Sequence, residues 1–407
     1  MLRGNTQEVE ILTLEDCLRI GIDNNLSLEG KRKEIQKSKY GVSENRSKLL
    51  PQINAIAGYN NNFDPPVSVT DGSSYGVPYN ITKTLQHSAN AGLEMQMPLF
   101  NQTLYTSMSI AKVMEEISRL SYGKAREDVI LQISKMYYLG QVTAEQIMLI
   151  KANIIRLEEL RDITQAFFDN GMSMEVDLKR VNINLENLKV QYDNAQAMMK
   201  QQLNMLKYIM DYPAEKEIAL TPVNTDSITT VALTGLSENI YELQLSQSQV
   251  QLAERQKKII TNGYIPSLSL TGSWRYAAYT DKGYHWFHSG PSNQWFRSYG
   301  VGLTLRIPIF DGLDKTYKIK KAMIDIENKR LAWEDARKNL QTQYLNAVND
   351  LINNQRNFKK QKDNYLLAED VYAVTSDRYR EGIASMTEVL QDEMQMSEAQ
   401  NNYISAH

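Results

Sequence analysis

Residues 93–101 read Leu-Glu-Met-Gln-Met-Pro-Leu-Phe-Asn, and residues 303–311 read Leu-Thr-Leu-Arg-Ile-Pro-Ile-Phe-Asp. Each stretch begins as strict alternation. Ala89, Ala91, Leu93, Met95 and Met97 point one way, with Asn90, Gly92, Glu94 and Gln96 opposite. In the later copy Tyr299, Val301, Leu303, Leu305 and Ile307 oppose Gly300, Gly302, Thr304 and Arg306. A period of two over about ten residues predicts a half-buried strand, because successive side chains leave a strand on opposite faces. Pro98 and Pro308 have no N–H to donate and are expected to end the ladder. Asn101 and Asp311 follow as helix N-caps, and the spacing turns helical. The chain is organised around this passage from strand through proline into a very long helix, made twice.

Outward from these stretches, Thr13 with Asp16 three residues on makes a capping-box-like start. A helix is expected from there to about Leu50, where Pro51 breaks it. Ile53, Ala55, Ala57 and Tyr59 alternate with polar or small residues and predict a strand over about 51–60. The Asn-, Gly-, Ser- and Pro-rich run from Asn60 to His87 reads as a long exposed loop, and a second strand covers about 88–98. No proline lies between Pro98 and Pro213. Three-four spacing through Ile133, Met136, Gly140, Ile147, Ile150, Ile154 and Leu157 predicts one helix over 101–168. It would be about 100 Å long at 1.5 Å per residue, so it must lie beside other helices in a coiled-coil manner. A turn is expected near 169–174, where Gly171 can take a left-handed conformation. A return helix follows to about Met210.

After a linker over 211–236 the programme restarts. A helix from about Ser237 meets Pro266. Strands are expected at about 266–277 and 297–308, then a second long helix, a turn near 380–386 and a return helix to His407. Tyr379-Arg380-Glu381-Gly382 matches Phe168-Asp169-Asn170-Gly171, and Ala336-Arg337 matches Ala125-Arg126. The chain is therefore read as repeat one over 13–210 and repeat two over 237–407.

Composition narrows the function. A net charge of −3 over 407 residues gives no reason to expect nucleic acid or an anionic membrane surface. No run approaches the 18 apolar residues of a membrane helix, so any entry into a bilayer is by strands. The lone cysteine, Cys17, reads as a small core residue. There is no Gly-rich phosphate loop and no nucleophile–His–acid set, so neither an enzyme nor a cofactor is expected. His285 and His288, beside Trp286 and Phe287, lack a third ligand, and no metal is expected there. Residues 1–12 have neither the charged start nor the apolar core of a signal peptide. Alone that predicts a cytoplasmic protein; the strands favour a mature chain with an added Met1.

Two strands per repeat make four per chain, too few to close a barrel, whose filled minimum is about eight. Three copies would make twelve, with apolar faces toward lipid and polar faces lining a lumen. Trp274, Tyr276, Trp295, Phe296 and Tyr299 fall where an interfacial aromatic belt would lie. The competing reading is a soluble or surface-attached coiled-coil scaffold with a small β cap.

The order of helix, strand pair, Pro98-Leu99-Phe100-Asn101 or Pro308-Ile309-Phe310-Asp311, long helix, glycine turn and return helix resembles TolC-like outer-membrane efflux proteins. The resemblance covers nearly the whole chain. It implies a mainly α fold with a small β part: a trimeric twelve-stranded transmembrane β-barrel continued by a long periplasmic α-helical barrel, with 211–236 as an equatorial linker. It further implies an outer-membrane place, a periplasmic adaptor (membrane fusion protein) and inner-membrane pump as partners, and passive export of drugs, small molecules or proteins. The junctions Pro98, Phe100, Pro308 and Phe310 join strand to helix. Adaptor contact falls at the tip turns Gly171, Met172, Ser173, Gly382, Ile383 and Ala384. By the same resemblance Asp177, Glu388 and Gln391 are candidates for a pore gate at the tip. Three symmetry copies of a carboxylate near an axis would attract cations. Ala384 occupies a place where some members carry a basic latch residue, and Gln391 one where some carry a second acid.

Overall fold

The computed structural model describes residues 9–222, 239–281 and 295–406. In chain order its elements are β1 (Glu10–Leu12), α1 (Leu14–Asn24), α2 (Leu26–Ser47), β2 (Gln52–Asn61), β3 (Val67–Asp71), β4 (Tyr79–Lys83), β5 (His87–Phe100), α3 (Gln102–Asp169), α4 (Glu175–Met210), β6 (Ile218–Leu220), α5 (Tyr241–Asn262), β7 (Ser267–Thr280), β8 (Trp295–Arg306), α6 (Asp314–Arg380) and α7 (Met386–Ala406). Helix predominates, and α3 and α6 run 68 and 67 residues. Among the described residues no helix is long and apolar enough to cross a membrane. The chain forms two compact units, one from residues 1–33, 120–244 and 334–407, the other from 34–119 and 245–333. Each draws on both halves of the sequence.

The first unit holds two apolar clusters. In one, Leu157, Leu160, Val181, Leu185, Val389 and Met396 are buried together with Tyr365, Tyr372 and Tyr379. Phe358, Tyr365, Tyr372 and Tyr379 recur every seventh residue of α6, the spacing that keeps one helix face against its neighbours. The Tyr365 and Tyr403 rings stack 5.8 Å apart, joining α6 to α7. The other cluster gathers Leu12, Cys17, Leu28, Ile133, Leu206, Met210 and Ile218. Cys17 is fully enclosed, and burial pushes its thiol up to about 11, as suits an inert core residue.

Two sequence expectations are corrected in this unit. The first helix is two helices, divided at Asn25. Asn25 Oδ1 accepts from the Leu28 N–H at 3.1 Å, and its amide donates to the Ile209 carbonyl at 2.7 Å. A side chain that caps the second helix and ties it to α4 outweighs continuous helical spacing. The segment after Met210 also carries order: β6 pairs in parallel with β1, matching Glu10 to Ile218 and Leu12 to Leu220. The pair is held from α3, where the Tyr137 hydroxyl donates to the Leu12 carbonyl at 3.3 Å. Residues 223–238 lie outside the described residues, as do His285, Trp286, Phe287 and His288.

The second unit is built on a four-stranded antiparallel sheet of order β2-β5-β7-β8. Here β5 does not stop at its proline. Pro98 pairs with Ser269 and, past a bulge, Phe100 pairs with Leu268. The β2 ladder ends at Gln52 opposite Gln96, so beyond that point β5 is an edge on the β2 side. A proline there forfeits no bond. By contrast β8 ends at Arg306, before Pro308. The second junction also differs at the helix start. Gly312 and Leu313 both have positive φ (67° and 69°), and α6 begins only at Asp314. Asp311 is thus set back from the cap position, with its carboxylate accepting from the Lys315 N–H at 3.3 Å. Asn101 keeps the expected role, accepting from the Thr103 N–H at 3.0 Å. The expected loop between β2 and β5 contains a hairpin, β3–β4, in which Val69 faces Ile81.

Candidate functional site

Residues directly opposite in an antiparallel ladder share a face, so the register sorts the sheet into two surfaces. One row runs Ala55, Leu93, Trp274, Tyr299; the next runs Ile53, Met95, Gly272, Val301. Met97, Leu270 and Leu303 follow on the same side. The other surface carries Asn54, Glu94, Ser273 and Gly300, then Gln96, Thr271 and Gly302. One face is oily and the other wettable across all four strands. The oily face is bare: Tyr299, Val301 and Leu303 are 77%, 80% and 67% exposed. An open concavity of about 500 Å³ lies against the sheet, lined by Asn54, Glu94, Gln96, Thr271 and Ser273 and also by Met95 and Val301. Across it the Arg275 guanidinium donates to the Glu94 carboxylate. Both partners stay well exposed, so the pair orients two charges and adds little stability.

Trp274, Tyr276, Trp295 and Tyr299 stand on the oily face, Trp274 and Tyr276 meeting edge to face at 5.2 Å. Phe296 does not join them. It pairs with Ala277 and points to the polar side, because it is one residue out of step with Trp295. At the junctions Pro98 is half-buried, while Phe100, Ile309 and Phe310 are exposed.

Both edges of the sheet are long and, among the described residues, unpaired. β2 and β8 flank it, and they run in opposite directions because three antiparallel pairings separate them. All four strands meet their helices at one end. Gln52, Met97, Ser267 and Arg306 occupy that end in the register, next to α2, α3, α5 and α6. These helices keep the strand order. Ser38 and Ser118 bond at 2.7 Å between α2 and α3, Asn262 donates to Thr106 at 2.6 Å between α5 and α3, and Arg330 meets Glu254 at 2.8 Å between α6 and α5.

At the helical turns the two repeats agree. Gly171 and Gly382 both have φ of 73°. Met172 N–H donates to the Phe167 carbonyl at 2.7 Å, and Ile383 N–H to the Arg378 carbonyl at 2.8 Å. This is the Schellman closure, whose left-handed residue favours glycine. Met172, Met174 and Ile383 are bare, while Ala384 and Met386 are buried. Ser173 is half-buried and donates to the Thr164 carbonyl. Asp177 is buried at the start of α4, 3.5 Å from Arg180. Glu388 is exposed and closes a capping box, accepting from the Ser385 N–H at 2.9 Å while Ser385 Oγ accepts from the Glu388 N–H at 3.3 Å. Gln391 is exposed one turn further on.

A further acid escaped the sequence reading. Glu393, on α7, is only 7% exposed, and burial raises its pKa above the ordinary carboxylate value, against the pull of Arg156. Arg156 itself meets Glu369 at 2.9 Å and also donates to Asn153, which in turn donates to Gln400 at 2.5 Å. The signal available in the sequence was helical spacing: Glu393 lies between Val389, Leu390 and Met396 on the buried face.

A sheet with one oily and one wettable surface, continued by long helices at one end, can build a wall between lipid and water. The model of one family, outer membrane efflux protein, matches residues 20–210 and 236–407. The chain belongs to that family. As an outer membrane efflux protein it is a channel of the outer membrane extending into the periplasm, and not an enzyme. Among relatives, it is 21% identical over 381 residues to the outer membrane protein TolC of Vibrio cholerae, covering 90% of this chain and 80% of that one. It is 23% identical over 363 residues to the probable efflux pump outer membrane protein TtgC of Pseudomonas putida, covering 84% and 70%. Among solved structures, CusC matches with a TM-score of 0.79 at 15% identity, over 99% of this chain and 92% of its own. The open state of the Neisseria gonorrhoeae MtrE channel matches with a TM-score of 0.74 at 18% identity, over 97% and 85%.

Proposed function

We propose that three copies of this efflux protein join edge to edge, β8 of one against β2 of the next, into a closed twelve-stranded barrel. The observation that carries the reading is the unfinished sheet: a bare oily face flanked by two long unpaired edges of opposite direction. An exposed edge is a template for another strand, and opposite directions let the next copy pair antiparallel, as every pair within the sheet already does. A head-to-tail contact of this kind closes into a ring when the rotation fits. The oily rows would then meet lipid and the polar rows would line the passage.

The same reading makes the protein a passive duct of a tripartite export system. A periplasmic adaptor would grip the tip through the bare Met172, Met174 and Ile383, and an inner-membrane pump would supply both the energy and the choice of substrate. Efflux-pump relatives favour small molecules over proteins as cargo. Asp177, Glu388 and Gln391 are the gate candidates. Of these, Glu388 keeps an exposed carboxylate while serving its cap, which suits a ring of charge better than the buried Asp177.

Planar-bilayer recording tests the reading. Purified protein should give ohmic conductance without nucleotide, and Glu388→Gln should lower its cation selectivity. A detergent-free monomer with no conductance would refute the duct, and unchanged selectivity in the variant would remove Glu388 from the pore.

A further inference from the structure

We propose that the helix ends adjoining the sheet form a cationic collar that binds the phosphate headgroups of anionic phospholipids, in the leaflet on the helical side of the bilayer. The proposal rests on the barrel reading above and adds a lipid class and a place to it. The net charge of −3 argues against such a partner, but the distribution of charge argues for it. The thirteen-residue windows nearest the four strands are 36–48, 102–114, 250–262 and 311–323. They carry net charges of +3, +1, +2 and +2, so every one is positive in an acidic chain.

Much of this charge is unspent. Lys39, Arg46, Lys258, Lys320 and Lys321 are exposed and Lys257 half-exposed, and among the described residues none forms an ion pair. Within the same unit, bare oily residues stand at the strand ends and between the strands and these cations: Ile309 is 94% exposed, Leu50, Phe310 and Leu313 are exposed, and so is Phe100 at the end of β5. Moving from sheet to helix, the surface passes from apolar strand rows through a junction with bare apolar residues to cations without an ion pair among the described residues, Lys320 lying over the Tyr317 ring at 5.8 Å. That sequence matches the depth profile of a leaflet, with hydrocarbon, then interface, then phosphate. Lysine and arginine stems can lie along the oily step while their heads reach the phosphates. Each cation near an anionic leaflet adds attraction that falls off within a Debye length. Zwitterionic lipid offers the same hydrocarbon without the net charge, so the collar should discriminate by headgroup.

The test uses the full-length oligomer in detergent, offered equal amounts of phosphatidylglycerol and phosphatidylcholine with matched acyl chains, the retained lipid being measured by native mass spectrometry. Phosphatidylglycerol should be enriched. The combined change Lys257→Gln, Lys258→Gln, Lys320→Gln and Lys321→Gln should cut the enrichment about fivefold or more, as should about 0.5 M salt. The pair Lys39→Gln and Arg46→Gln, on a different helix, should lower it independently. Equal retention of the two lipids by the unaltered protein would overturn the collar and leave the barrel standing. Failure to retain either lipid, with a detergent-free monomer, would instead overturn the barrel. Altered ion selectivity of the conducting pore with lipid enrichment intact would turn these cations toward the lumen and also end the proposal.

Discussion

The two units of this chain solve the problem of burial differently. Near the helical turns, α3, α4, α6 and α7 enclose a full set of leucines, valines, methionines and tyrosines within one copy. In the unit with the sheet, the buried apolar residues among those described are Ala111, Ala253, Ala278, Ala322 and Ile326. Alanine contributes little apolar area, and the large side chains there point outward uncovered. The first unit buries large side chains within one chain, although others such as Ile183, Leu367 and Val374 stay exposed on its helices. Among the described residues the second has its large hydrophobes on the surface and its hydrogen-bonding edges open, and under the proposed barrel its stability would come from neighbouring copies and lipid. One sequence thus encodes a unit with a core of large side chains and a sheet without one.

Substitutions should separate the two. The largest effect is expected from Val301→Arg on the oily face, where a cation at the bilayer midplane costs about 2–4 kcal/mol per copy. Flotation with vesicles should be lost. Thr304→Arg, three residues on but on the polar face, should float normally, and equal loss in both would dissolve the distinction between faces. Next comes Leu160→Ala in the tip cluster. Emptying a fully buried leucine site costs about 2–5 kcal/mol, read as faster hydrogen exchange in α4 and α7 with the oligomer and flotation unchanged. A smaller effect, about 1–2 kcal/mol, is expected from Gly382→Val, which forces a β-branched residue into a left-handed backbone. Ser385→Ala should cost about 1 kcal/mol through the lost cap. Both should show in exchange of the amides around the second turn.

The last prediction concerns pH. Glu393 has its pKa raised in the folded tip by burial, so the folded state binds this proton more tightly than the unfolded chain. The carboxyl therefore costs nothing while protonated in both states. It becomes destabilising as pH rises past its ordinary value of 4.5. Glu393→Gln should stabilise the tip at neutral pH and leave it unchanged near pH 4. A gain that is the same at both pH values would assign the effect to packing instead.

Much of this contrast was legible in the sequence where a pattern is local. Alternation at 89–97 and 299–307 marked the strands and their oily faces, and Gly171 and Gly382 marked turns that share the same backbone closure. What stayed hidden depends on partners distant in sequence. Nothing in Glu10–Leu12 announces a parallel match to Ile218–Leu220, and Asn25 becomes a helix divider only because Ile209 is there to receive its amide. Pro98 was expected to end a strand, but it sits past the end of β2, where a missing N–H has no partner to lose. Phe296 falls by position among the belt aromatics, while a single step of register sends it to the other face. Glu393 was passed over because a lone acid in a helix ordinarily faces water.

The most direct test of the unfinished sheet is electron cryomicroscopy of the protein in a lipid nanodisc, counting chains and strands in the particle. The account predicts three chains whose twelve strands form one closed wall, with Val301 and Leu303 facing lipid and Glu94 and Thr271 facing the passage. A single chain in which the oily rows fold against that chain's own helices would contradict it.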